Sequence, residues 1–170
     1  MKTLFGATRT VFEQDKYKIL KASSRDAPVV SALTKGDWSE RVAISQRRKN
    51  DNPTQIADDL RSGGGLVLYR NNLPVAALSY VKARDGSWEL RRLGVTRTFS
   101  GRGFTTLLLD TLERLAKQSE VRSIRIPVES YSPQYKAYFE KLGSSVEADR
   151  TFSTVFAGAL QPIRMRKLVA

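Results

Sequence analysis

The chain has 170 residues, a formal net charge of +12, and neither cysteine nor histidine. That length can bury a core without disulfides or a structural metal. The missing residue types exclude thiolate chemistry, the usual zinc ligands and every histidine-based triad, so no metal is expected and a general base must be a carboxylate, tyrosine, lysine or water.

No repeat or linker divides the sequence, so residues 1–170 are expected to form one domain, with residues 1–16 an added strand or a loose N-terminal segment. The first ten residues lack a long apolar core and a small-residue cleavage site, and no window approaches a membrane span. A cytoplasmic protein away from membranes is expected. Residues 17–22 alternate loosely and predict a first strand, after which Ser24 and Asp26 supply caps for a helix around 28–33. Residues 40–48 predict a short second helix. Asn52-Pro53 then sets a capping side chain and a proline at the start of a helix over 54–61, which Gly63-Gly64-Gly65 ends. Strands over 66–70 and 75–81 are joined by Asn71-Asn72, residues that tolerate the left-handed backbone of a hairpin turn. A turn at Arg84-Asp85-Gly86 leads to a strand over 88–95, the third in a meander.

Residues 105–118 carry Leu108, Leu112, Leu115 and Ala116 on one face, the spacing of an amphipathic helix. A strand over 123–128 follows. Ser132-Pro133 caps a helix with an apolar stripe of Tyr135, Tyr138, Phe139 and Leu142, which Gly143 stops. Residues 144–148 and 151–169 predict two closing strands.

The most informative stretch is Thr96-Arg-Thr-Phe-Ser-Gly-Arg-Gly-Phe-Thr-Thr106, lying between a strand and the strongest helix. Its glycines let main-chain N–H groups converge on an anion at the positive end of the helix dipole, which suits a pyrophosphate. Glycine also serves capping and tight turns, so Gly-Arg-Gly alone does not decide the matter.

From Trp88 to Gly143 the chain resembles the GNAT acyltransferase superfamily, whose signature runs from a strand through Arg/Gln-x-x-Gly-x-Gly/Ala into a helix. Ser100, Gly103 and Thr105 stand at its three signature places, and Tyr138-Phe-Glu-Lys-Leu-Gly143 resembles a frequent family motif. With the order of the other elements, the resemblance extends over about residues 17–169. It implies an α/β (α+β) fold, with a mixed central sheet of about six to seven strands and about four helices. Ser100 and Thr105 depart from the family's usual residues, and Phe139 stands where a proton-donating tyrosine is common.

The implied reaction moves an acetyl group from acetyl-coenzyme A to a primary amine. It needs an oriented carbonyl, a stabilised oxyanion, a neutral amine and a proton for the departing sulfur. By resemblance, the amides of Leu93 and Val95 hold the carbonyl. Those of Gly101, Arg102, Gly103, Thr105 and Thr106, with Ser100 in the loop and the Arg102 side chain added, hold the pyrophosphate. Glu89, six residues before Val95, matches the strand glutamate that acts as general base in histone-type members. It equally suits a strand residue paired with Arg91 or Lys82. Tyr138 is the candidate proton donor, although neighbours on a helix point about 100° apart.

The first 50 residues carry +6, including Arg47-Arg48-Lys49, and the last 20 carry +3. A basic surface attracts acidic partners, so a protein or nucleic-acid-associated acceptor is expected, with plain solubility as the competing explanation. One alternative is a catalytically degenerate module that grips nucleic acid or an acidic protein. Another is an acyltransferase acting on a modified nucleobase or small metabolite.

Overall fold

Residues 9–34, 52–128, 137, 139–146 and 163–169 are described by the computed structural model. β1 (Thr10–Gln14) and β2 (Tyr17–Ala22) form a hairpin through Asp15, whose φ is 53°. β1 is thus the added N-terminal strand. The Ser23 N–H donates to the Asp26 carboxylate at 2.7 Å, and a single 3-10 turn leads into α1 (Ala27–Thr34). The helix expected over 40–48 lies outside the described residues.

Asn52 accepts from the Gln55 N–H at 2.9 Å, and Pro53 opens α2 (Pro53–Ser62), as the capping pattern predicts. Gly63 closes that helix where no side chain fits, because a Cβ would lie 2.0 Å from the Tyr80 carbonyl oxygen. β3 (Gly64–Arg70) and β4 (Leu73–Lys82) turn through Asn71 and Asn72, with φ of 48° and 66°. β5 (Trp88–Val95), α3 (Phe104–Gln118), β6 (Ser123–Val128), β7 (Ser145–Val146) and β8 (Ile163–Leu168) complete the order. Between β6 and β7, residues 137 and 139–141 are helical, and Gly143 stops the turn with φ of 92°.

The strands form one mixed sheet in the order β1-β2-β3-β4-β5-β6-β8-β7, eight in all with β1 included. Only β5 and β6 run parallel among the described residues. α3 packs Leu108, Leu112, Leu115 and Ala116 against Leu66, Leu68, Leu78 and Leu90 on one face, with Phe139 fully buried beside them. α1 and α2 cover the other face, where Val30, Leu33, Ile56 and Leu60 meet Val67 and Ala77. Each such aliphatic side chain contributes about 1.5–3 kcal/mol on burial, so the two layers hold the sheet from both sides.

One cation is built into the second layer. Arg92, 4% exposed, donates from Nη1 to Asp59 of α2 at 2.7 Å and to the Ser79 hydroxyl at 3.2 Å. A buried charge that loses its partner is costly, whereas replacement by an apolar side chain of similar volume is tolerated. Asp59→Ala is therefore expected to cost about 3 kcal/mol or more in urea unfolding. Arg92→Met is expected to cost clearly less, since Asp59 keeps access to water. A variant Asp59→Ala as stable as the wild type would show that this pair does not hold α2.

Candidate active site

β5 and β6 pair over two registers only, Trp88 with Ile124 and Glu89 with Arg125. Beyond Glu89 no further register joins them among the described residues, while β6 continues to Val128 against β8 on its other edge. Residues 90–95 of β5 therefore border an opening. The Thr96 N–H reaches the Val75 carbonyl oxygen at 2.8 Å, and the register sets Ala77 opposite Gly94 and Ser79 opposite Arg92. Main-chain groups alternate in direction along a strand. The amides of Arg92 and Gly94 thus point to β4, and those of Leu93 and Val95 point to the opening.

The register of β4 with β5 slips between Ser79 and Tyr80, so that Arg91 has no opposite residue. This bulge reconciles Glu-Leu-Arg-Arg-Leu-Gly-Val with a two-sided sheet. Leu90, Leu93 and Val95 all reach the α3 core, which a strict two-residue period forbids, while Arg92 faces α2. Sequence reasoning took this strand as unbroken. The adjacent arginines were the signal that alternation fails there.

Glu89 stands where the strands part. Its Oε1 lies 3.4 Å from the Arg91 Nε and its side chain is 23% exposed, so it is paired yet reachable. Arg125 opposite is ion-paired with Asp85, whose carboxyl is held below the usual range, first by the Ser87 hydroxyl and backbone N–H and then by the charges of Arg125 and Arg166. Tyr138 lies outside the described residues. Phe139 is fully buried in the α3 core and has no proton to give.

At the open end of β5 a 3-10 turn, Arg97–Phe99, leads to the glycine loop. The Ser100 hydroxyl donates back to the Arg97 carbonyl at 2.9 Å, so it braces the turn. Gly101 and Gly103 have φ of 76° and 80°, and among the described residues nothing lies within 4 Å of where a Cβ would sit on either. The ladder of α3 begins with the Leu107 N–H bonded to Gly103 C=O at 3.0 Å. The amides of the preceding turn, Thr105 and Thr106 among them, therefore point out along the helix axis, as every helix start requires. An open glycine backbone, converging amides, a positive dipole and the exposed Arg102 form a cradle that suits a pyrophosphate in chemistry and access. The buried Thr96 hydroxyl, which has no hydrogen-bond partner among the described residues, adds a polar group at the loop's start that the sequence pattern does not single out.

The model of the Acetyltransferase (GNAT) family matches residues 30–144. Among solved structures, the PaiA N-acetyltransferase of Thermoplasma acidophilum in complex with coenzyme A superposes with a TM-score of 0.70 at 16% identity, covering 89% of this chain and 98% of its own. Ard1 of Thermoplasma volcanium gives 0.70 at 16% identity, covering 92% and 99%. The ribosomal-protein-S18-alanine N-acetyltransferase of Escherichia coli gives 0.64 at 16% identity, covering 91% and 94%. None of the curated protein sequences matches the chain.

The loop backbone carries a test of its own. Gly101→Ala and Gly103→Ala should each lose about 1 kcal/mol in urea unfolding from the left-handed backbone alone, since space for the methyl group is open. Unchanged stability in both variants would contradict the positive φ angles.

Proposed function

As the chain belongs to the GNAT acetyltransferase family, whose members use acetyl-coenzyme A, we propose that it transfers the acetyl group to a primary amine on a protein or nucleic-acid-associated acceptor. The observation that carries this reading is the split between β5 and β6, which opens beside the glycine loop at the start of α3. The amides of Gly101, Arg102, Gly103, Thr105 and Thr106 take the pyrophosphate, with the Arg102 guanidinium above them. The amides of Leu93 and Val95 donate to the acyl carbonyl, which holds it in place and stabilises the charge that develops on its oxygen.

Bound acetyl-coenzyme A supplies an acyl carbon whose bond to sulfur is exchanged for a bond to the amine nitrogen. An amine of ordinary pKa, about 10.4 for lysine, is protonated at neutral pH, so a base must act first. Glu89 takes that proton, directly or through water, and Arg91 at 3.4 Å steadies its carboxylate. Tyr138 returns a proton to the departing sulfur. The acceptor side lies on the α1 and α2 face that Glu89 shares with Arg92. The excess charge of the first 50 residues, +6, draws an acidic acceptor there, although Arg47, Arg48 and Lys49 lie outside the described residues.

One observation favours a second reading, a binding module that keeps the fold without the chemistry. Phe139, in place of the common tyrosine, is buried and inert. The two readings separate on cofactor binding and turnover.

Calorimetric titration should show acetyl-coenzyme A binding, with a rise in melting temperature by mass action. Gly103→Glu should abolish binding by setting a carboxylate where the pyrophosphate lies. A folded Gly103→Glu variant with wild-type affinity would remove the loop from the site. Glu89→Gln should lower turnover roughly 100-fold while leaving cofactor affinity unchanged, and the deficit should shrink as pH rises and more amine is neutral unaided. Wild-type turnover in Glu89→Gln at every pH would leave Glu89 as a strand residue paired with Arg91.

A further inference from the structure

Beside the loop stands a further cation, Arg70, that has no task in the chemistry above. Arg70, the last residue of β3, lays its guanidinium over the Phe99 ring at 5.5 Å, and Arg102 lies over the same ring at 5.1 Å. Phe99 leans on Phe104, the first residue of α3, with centroids 6.1 Å apart, and Tyr17 meets Phe104 at 5.3 Å. Lys16 reaches the Tyr17 ring at 6.0 Å. Basic groups from three separate segments thus converge on an aromatic floor at the start of α3.

Among the described residues neither Arg70 nor Arg102 has a carboxylate partner, and the Arg70 Nε is buried without a hydrogen-bond partner. Two guanidinium groups on one ring repel each other, and a buried donor left unmade is costly. Other ion pairs of this chain are closed internally, such as Arg92 with Asp59, Arg9 with Asp26 and Lys167 with Glu113. An anion from outside would complete the Arg70 arrangement.

Coenzyme A has one anionic group besides its pyrophosphate, the phosphomonoester on the ribose 3′ oxygen. The loop amides and Arg102 account for the pyrophosphate. Arg70 comes from a different strand and shares the Phe99 ring with Arg102, which suits the neighbouring phosphate. Resting on the cofactor reading above, we infer that Arg70, braced on Phe99, binds the 3′-phosphate of coenzyme A and makes the protein select coenzyme A over its 3′-dephospho form. A guanidinium offers the paired donors that a phosphate dianion accepts.

Calorimetric titration of the full chain with coenzyme A and with 3′-dephospho-coenzyme A tests this. Wild type should prefer coenzyme A by about tenfold or more, the worth of one charge-assisted contact. Arg70→Gln should bring that ratio close to one without weakening 3′-dephospho-coenzyme A, Arg70→Lys should restore part of it, and Arg102→Gln should weaken both ligands alike. Equal wild-type affinity for the two ligands would overturn the assignment and leave the cofactor reading standing, whether or not the variants fold. No binding of either ligand would overturn both. A short single-stranded DNA serves as a further probe. If Arg70→Gln weakens that DNA and leaves the coenzyme ratio unchanged, the phosphate belongs to an acceptor and the inference fails.

Discussion

Among the described residues β5 and β6 share only the Trp88–Ile124 and Glu89–Arg125 registers, whereas β8 pairs with β6 along its whole length on the other edge. That short parallel pairing positions the rest. Parallel neighbours need a long crossover, which is α3, and a crossover helix starts near the end of the strand it leaves. The positive end of the α3 dipole is therefore set at the mouth of the opening. The amides of Leu93 and Val95 face the same opening because the Thr96–Val75 bond fixes the parity of β5. The outward amides of Leu93 and Val95, the start of α3 and Glu89 thus share one geometric cause.

The bulge at Arg91 lets one strand serve two purposes. Leu90, Leu93 and Val95 hold it to the α3 core, while Glu89 and Arg92 look to the α1 and α2 layer. Asp59 and Ser79 meet the buried charge of Arg92 there. The same link ties α2 to the strand that carries the site, so that the stability of this layer and the placement of Glu89 depend on neighbouring residues of β5. The α3 layer rests on an apolar core, with polar ties from Arg114 to β1 and from Glu113 to Lys167 at its exposed side.

Local signals were legible where their physics is local. Asn52-Pro53, Asn71-Asn72, the stripe of α3 and the alternation of β6 all formed the elements their spacing predicts. The glycine loop was legible because positive φ and open space are demands that few other residues meet. Pairing over long separations was not. Nothing in the sequence places β8 between β6 and β7, shows that β5 and β6 part after Glu89, or brings Arg70 beside Phe99. β1 could be left as strand or loose segment because its fate depends on β2, and on Arg114 of α3 donating to the Val11 carbonyl at 2.6 Å. The bulge at Arg91 depends on the register of β4 against β5, which the adjacent arginines hint at but do not fix.

The central claim is that the opening between β5 and β6, with the loop at its mouth, receives acetyl-coenzyme A. Backbone amide NMR of the 19.1 kDa protein during titration with coenzyme A tests it most directly. The account predicts saturable shifts concentrated at Leu93, Val95 and Gly101 through Thr106, with the Gly86 turn unmoved. Saturable shifts centred elsewhere, with those amides silent, would contradict it.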